Sequence, residues 1–241
     1  MLLSMVLDAY GNTDIGLVRE RNEDSFWVDN DHRSYAIADG IGGLPDGKLA
    51  SSFALDCFKE LLLADHKNAV PNLYGIFDQV NERVSDLGFC QHPDSGIGTT
   101  LTGVHLNQDF MWVGHVGDCA LFRYRNGDIE QITAEHTIAE ELKGHFSEND
   151  DIELPEYFYH TLTQCIGQQN DLDTEVLQLG VRLGDRYIIC SDGVSKCVPM
   201  DDIGIICGRS KTAKECVEWL IEETHLYGAA DNSTIVCIFI S

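Results

Sequence analysis

Apolar residues fall in short runs punctuated by turn formers along most of the chain. Ser34–Ala38 and Arg186–Cys190 are two such runs, each followed closely by Asp-Gly, and both predict strands. Residues 99–106, Phe110–Val116 and 120–124 predict three consecutive antiparallel strands. Asn107-Gln108 separates the first two, and Asn126-Gly127, a type I′ hairpin signal, follows the third. The run 235–240 predicts a last strand. Elsewhere the period turns helical. Residues 48–63 place Leu49, Phe53, Cys57 and Leu61 at spacing four, with Ala54, Phe58 and Leu62 alongside. Residues 212–224 open on a capping box, Thr212 with Glu215, and carry Ala213, Val217, Leu220 and Ile221 on one face. A further helix is expected over 72–87. Helices mixed with mainly antiparallel strands define an α+β fold, with sheet faces covered by helices.

No repeat, low-complexity tract or Pro/Ser-rich linker divides the 241 residues, so one domain over 1–241 is expected. Residues 144–157 differ from the rest. Glu148, Asp150, Asp151, Glu153, Glu156 and Pro155 leave few apolar anchors there, and an acidic loop is expected. The nine cysteines form no Cys-x-x-Cys pair, and several sit inside apolar runs, which argues for free thiols in a reducing compartment. The apolar stretch 1–7 has no basic segment before it and meets Asp8 at once, too short for a signal core or a membrane span. A soluble, cytoplasmic protein without membrane partners is expected.

Forty acidic against 16 basic side chains give a formal charge of −24. That balance excludes non-specific nucleic-acid binding, which needs a Lys/Arg surface. It also poses a question: a merely solvated surface, or carboxylates gathered to hold cations. Residues 42–48 fit the phosphate-loop spacing G-x-x-x-x-G-K between a strand and a helix. Leu49 stands where a magnesium-binding hydroxyl belongs, Pro45 removes a backbone donor, and Asp46 sets a negative charge where phosphate would rest. The loop is rejected as a nucleotide site.

The aspartates are more informative. Asp39 and Asp192 each close a predicted strand and precede glycine. Asp118 follows another strand through Gly117, and Asp231 opens Asn232-Ser233-Thr234 before the last strand. Any one of these reads as turn chemistry. Four at strand ends, together with the cluster Arg19-Glu20-Arg21-Asn22-Glu23-Asp24, favour a site of hard oxygen ligands for Mg²⁺ or Mn²⁺.

These segments also carry a family resemblance. Thr13-Asp14-Ile15-Gly16-Leu17-Val18-Arg19-Glu20-Arg21-Asn22-Glu23-Asp24 resembles the opening motif of the metal-dependent protein phosphatases, the PPM or type 2C family. In order along the chain, so do Ala38-Asp39-Gly40-Ile41-Gly42-Gly43, Gly98-Thr99-Thr100, Val116-Gly117-Asp118 and Ile132-Thr133-Ala134-Glu135-His136-Thr137. Leu162-Thr163-Gln164-Cys165-Ile166-Gly167, Ser191-Asp192-Gly193 and Asp231-Asn232-Ser233-Thr234 complete the series. The resemblance runs from about 13 to 238 and points to bacterial-type members.

The resemblance implies an α-β-β-α sandwich, two antiparallel sheets flanked by helices with metals at one end. It implies a serine/threonine protein phosphatase that uses Mn²⁺ or Mg²⁺, acts on phosphorylated protein substrate through metal-activated water, and opposes a cognate Ser/Thr kinase. Asp39 then bridges two ions. Asp192 and Asp231 complete the first, and Glu23 with the carbonyl of Gly40 binds the second. Asp118 with Asp192 matches the ligand pair of a third, weaker ion. Asp24 would accept from metal-bound waters, Asn232 would support Asp231, and Arg19 would grip the substrate phosphate. Animal members carry His after the Asp-Gly, where this chain has Ile41. The general acid is therefore open between His136, which reads equally well as a structural hydrogen-bonder, and water. The rival reading is a phosphoprotein-binding module of the same fold without turnover, against which the complete ligand set argues. Asp78, Glu82 and Asp86, at spacing four, read as a solvated helix face.

Overall fold

A computed structural model describes residues 5–65, 70–107, 109–143 and 154–241. Its strands are β1 (Leu7–Asp14), β2 (Ser25–Asp29), β3 (Ser34–Ala38), β4 (Leu101–Leu106) and β5 (Phe110–Val116), then β6 (Ala120–Arg125), β7 (Asp128–Gln131), β8 (Glu175–Gly180), β9 (Arg186–Cys190) and β10 (Ser233–Ile240). The helices are α1 (Gly47–Ala64), α2 (Leu73–Gln91), α3 (Ile138–Lys143), α4 (Asp192–Ser195), α5 (Met200–Arg209) and α6 (Ala213–Leu226). Among the described residues the strands form two five-stranded antiparallel sheets, ordered β1-β10-β9-β6-β7 and β2-β3-β4-β5-β8.

Three apolar layers hold the sheets and helices together. Tyr35, Ile37, Val104, Met111 and Val113 of one sheet meet Leu121, Tyr187, Ile189, Val236 and Ile238 of the other in the central layer. Alternate positions on the same strands face outward: Ala36, Ala38 and Leu101 pack under Ala54, Phe58, Phe77 and Val80 of α1 and α2. On the opposite side Ala120, Ile188, Cys190, Ile235 and Cys237 pack under Ile203, Cys207, Val217 and Leu220 of α5 and α6. Both faces of the inner strands are thus covered, which is why residues 235–240 read as an unbroken apolar run rather than an alternating one. The expected α-β-β-α sandwich is present.

Several details differ from the sequence reading. The buried stripe of α1 runs through Ala50, Ala54, Leu55, Cys57, Phe58 and Leu62, while Leu49, Phe53 and Leu61 are half-buried at its margin. The strand expected from residue 99 starts at Leu101, because Thr99 makes only isolated bridges to Gly40 and Ile166 and turns its hydroxyl to the carbonyl of Asp39. β1, β2, β7, β8 and α5 were not foreseen. β1 is an edge strand with few apolar residues, and its place is set by register against β10, from Leu7 opposite Ile240 to Asp14 opposite Ser233. The Asn126-Gly127 hairpin is confirmed, with both residues at positive φ (57° and 101°). Thr212 caps α6 by accepting from the Glu215 amide. All nine cysteines are free. Most of the acidic loop expected over 144–157 lies outside the described residues, and Glu156–Tyr159 form a 3-10 turn. No helix among the described residues is long and apolar enough to cross a membrane.

Gly103 in β4 marks how closely α1 sits on its sheet. A Cβ there would lie 2.4 Å from the Phe58 ring, itself edge-on to Phe77 at 5.6 Å between centroids. Gly103→Ala is expected to cost about 1–3 kcal/mol of unfolding free energy through overpacking, read by urea denaturation. Gly43→Ala, where nothing lies within 4 Å, serves as the neutral control.

Candidate metal centre

The antiparallel registers bring the sequence-distant acids to one end of the sandwich. Ser25 pairs with Ala38, so Asp24 before β2 and Asp39 after β3 are neighbours. Leu101 pairs with Val116, placing Asp118 at the same edge. In the other sheet Ile235 pairs with Cys190, so Asp192 after β9 and Asp231 before β10 emerge together. Each side chain is carried by a rigid strand end or the residue beside it, which limits the entropy lost in positioning it.

Backbone contacts fix these positions further. The Asp39 amide donates to Thr100 Oγ1 at 2.9 Å, and Thr99 Oγ1 donates to the Asp39 carbonyl at 2.8 Å. Gly40 presses against the start of α1 so closely that a Cβ would fall 2.4 Å from the Gly47 carbonyl oxygen. The Glu23 carboxylate lies over the same Gly47, 3.0–3.1 Å from where its Cβ would be. Asn232 clamps the loop that carries Arg19 and Glu23. Its Nδ2 donates to the carbonyls of Ile15 and Arg21 at 2.9 Å each, its Oδ1 accepts from the Glu23 amide at 2.8 Å, and its own amide donates to Asp231 Oδ1. Asn232 thus supports both Glu23 and Asp231.

Charge is the dominant feature. Asp24 is fully buried; its Oδ2 accepts from Ser191 Oγ at 2.8 Å, while its Oδ1 is buried with no hydrogen-bond partner. Burial raises its pKa. Asp39 is held well above the ordinary carboxylate range by burial and by the neighbouring Asp24, Asp192 and Asp118. Asp118 is pushed up to about 6 by burial and Asp192, against the pull of Lys196. Asp192 ends at about 2, because His160 and Lys196 outweigh its burial.

Two protein cations face this cluster. Arg19 donates from Nη2 to Asp231 Oδ2 at 2.6 Å. Lys196 donates from Nζ to Asp118 Oδ2 at 2.6 Å and to Asp192 Oδ2 at 3.1 Å. Burial works against the charge of Lys196, but Asp192 and Asp118 outweigh it and raise its pKa. Neither Lys196 nor His160, whose Nδ1 stands 3.9 Å from Asp192 Oδ2, was singled out from the sequence. The signal for Lys196 was its position four residues after Asp192, the helical spacing for an ion pair.

The donor set fits hard divalent cations. It offers carboxylates, one with an unpartnered buried oxygen, and carries more negative charge than two side-chain cations offset. As the side chains stand, no three His, Cys, Asp or Glu among the described residues are gathered closely enough to enclose an ion. Three of the acids are instead engaged in ion pairs: Arg19 holds Asp231, and Lys196 holds Asp118 and Asp192.

His136 takes a structural part. Its Nδ1 accepts from the Gly117 amide at 3.2 Å, its amide donates to the Gly117 carbonyl, and its ring packs on His115 at 4.9 Å. Burial lowers its pKa, consistent with a neutral acceptor that shapes the turn carrying Asp118. In the rejected phosphate loop, Lys48 donates to the Asp24 carbonyl and Ser25 Oγ, beneath the cluster. Asp78, Glu82 and Asp86 lie exposed on α2.

This arrangement agrees with what the chain resembles. Residues 18–222 match the family model described as protein phosphatase 2C. The serine/threonine phosphatase stp of Listeria monocytogenes serotype 4b is 27% identical over 238 residues, covering 94% of this chain and 93% of that protein. The crystal structure of the catalytic domain of the serine/threonine protein phosphatase PstP in complex with two manganese ions superposes with a TM-score of 0.82 at 27% identity, covering 98% of this chain and 99% of that one. Stp1 from Staphylococcus aureus shares the fold, with a TM-score of 0.87 at 22% identity, covering 100% of this chain and 98% of that one. The chain belongs to the protein phosphatase 2C family and is a metal-dependent serine/threonine phosphatase.

A carboxyl with a higher pKa folded than unfolded binds more protons in the folded chain, so stability falls as pH rises through that interval. For Asp118 the interval runs from the unfolded ~3.9 to about 6, and for Asp39 it extends upward from the same start. Asp39→Asn removes one of these charges while keeping an amide donor toward Asp24. In EDTA-treated protein the variant is expected to melt above wild type at pH 8, with the gap narrowing toward pH 5. A lower melting temperature for the variant at pH 8 would contradict this electrostatic account.

Proposed function

We propose that residues 1–241 work as one catalytic unit that hydrolyses phosphoserine and phosphothreonine in phosphoproteins, opposing a Ser/Thr kinase in the cytoplasm as part of a signalling system. The observation that carries this reading is the convergence of Glu23, Asp24, Asp39, Asp118, Asp192 and Asp231 with Arg19 at one end of the sandwich. Asp39, Asp192 and Asp231 would hold one Mn²⁺ or Mg²⁺ ion, and Asp39, Glu23 and the Gly40 carbonyl a second. Divalent ions bound there supply Lewis-acid chemistry, lowering the pKa of water toward ~7 and offsetting charge on phosphoryl oxygens.

The chain's own residues perform the rest. Arg19, half-exposed at the rim and held by Asp231 through Nη2, presents a planar fork suited to two non-bridging phosphate oxygens. Asp24, through its unpartnered Oδ1, would accept from and orient water inside the cluster. Water forms the new P–O bond as the bond to the seryl or threonyl oxygen breaks; the water gives up a proton, which balances the one the leaving oxygen takes up. No phosphoenzyme is required. His136, tied to Gly117, positions Asp118. The alternative of a binding module without turnover is disfavoured by a carboxylate cluster this costly to assemble for binding alone.

Hydrolysis of p-nitrophenyl phosphate and of a phosphothreonine peptide is expected to need Mn²⁺ or Mg²⁺ and to vanish with EDTA and in Asp39→Asn or Asp192→Asn. Arg19→Ala is expected to lose about 10²-fold in kcat/KM, and Arg19→Lys to recover only part of it. Activity surviving in both aspartate variants would overturn the site.

The surface charge yields a separate expectation. At low salt, phosphopeptides with basic flanks should show higher kcat/KM than those with acidic flanks, and the ratio should shrink as ionic strength rises. Faster turnover of acidic-flanked peptides would exclude electrostatic selection by this surface.

A further inference from the structure

Asp118 and Asp192 stand where the family resemblance would place a third, weaker divalent ion, and a side chain already occupies the space between them. Lys196 caps the short helix α4 and is only 19% exposed. Its ammonium reaches Asp118 Oδ2 at 2.6 Å and Asp192 Oδ2 at 3.1 Å. Asp118 is itself 7% exposed at the side chain and is held from behind by the Gly117 turn that His136 secures. An ammonium is a compact point charge whose three donors can serve two carboxylates at once. A divalent ion brought between the same oxygens would meet a like charge at contact distance, in a site shielded from water.

We propose that Lys196 is a tethered substitute for the third ion, so that this chain binds two divalent ions and excludes another at Asp118. The substitution has a chemical logic. A covalently attached cation neutralises the Asp118–Asp192 pair at any metal concentration, whereas a weak ion would do so only when metal is abundant. It also leaves the second oxygen of Asp192 for the catalytic pair. The inference rests on the reading of Asp39, Asp192, Asp231 and Glu23 as a two-ion centre, and the counts below separate the two.

The test is the number of Mn²⁺ ions bound per metal-stripped 241-residue chain at saturation, measured by equilibrium dialysis with metal analysis. Wild type is expected to bind two, Lys196→Ala three, and the double variant Lys196→Ala/Asp118→Asn two again. Lys196→Ser, which keeps a small hydroxyl donor, is expected to match the alanine variant and replaces it if that variant does not fold by circular dichroism. Three ions on wild type would overturn the inference while leaving the two-ion centre intact. So would two ions on a folded Lys196→Ala chain. Fewer than two on wild type would overturn the two-ion centre itself.

Discussion

Crowding of like charge at the open end of two packed sheets is the constraint on which the rest depends. A buried carboxylate without a partner is costly, yet the strand registers drive Asp24, Asp39, Asp118 and Asp192 together. The chain meets that cost with two side-chain cations, Arg19 and Lys196, and with the Ser191 hydroxyl, which donates to Asp24. The balance is incomplete: Asp39 stays far above its ordinary pKa and Asp24 keeps a buried oxygen without a partner. A pocket left electrostatically unfinished in this way is suited to inorganic cations, and the apolar layers on either side of each sheet make it rigid enough to hold them.

Much of this was legible in the sequence because strand ends are marked twice, by the apolar run and by the Asp-Gly that stops it. Asp39 and Asp192 were visible for that reason, and Asp118 and Asp231 followed once the strands beside them were recognised. The sandwich itself was less visible. β1 and β8 hold place by pairing with β10 and β5, and their own side chains are only partly buried, so their composition carries little signal. The face of α1 was displaced by part of a turn, since the small Ala50 and Ala54, not Leu49 and Phe53, allow its close approach to the sheet.

The site shows the same division between local and long-range information. Asn232 was expected to support Asp231, and its reach to Ile15 and Arg21 depends on a contact across more than 200 residues. His136 could be read either as an acid or as a structural residue from its segment alone; the hydrogen bond from the Gly117 amide supports the structural reading. Lys196 escaped attention because a lone lysine in a short turn is ordinary until two carboxylates are placed beside it. As for overall acidity, setting the six site acids aside leaves 34 acidic against 16 basic side chains, so the centre accounts for the arrangement of a few carboxylates and the surface for the rest.

On this reading divalent ions complete the carboxylate cluster at the expense of the ion pair between Arg19 and Asp231. Anomalous scattering from crystals grown with Mn²⁺ tests it most directly. Two manganese peaks bridged by Asp39, with Asp231 turned inward and its contact with Arg19 broken, are the predicted result. A map without manganese at Asp39, or with the Arg19–Asp231 pair intact beside bound metal, would contradict it.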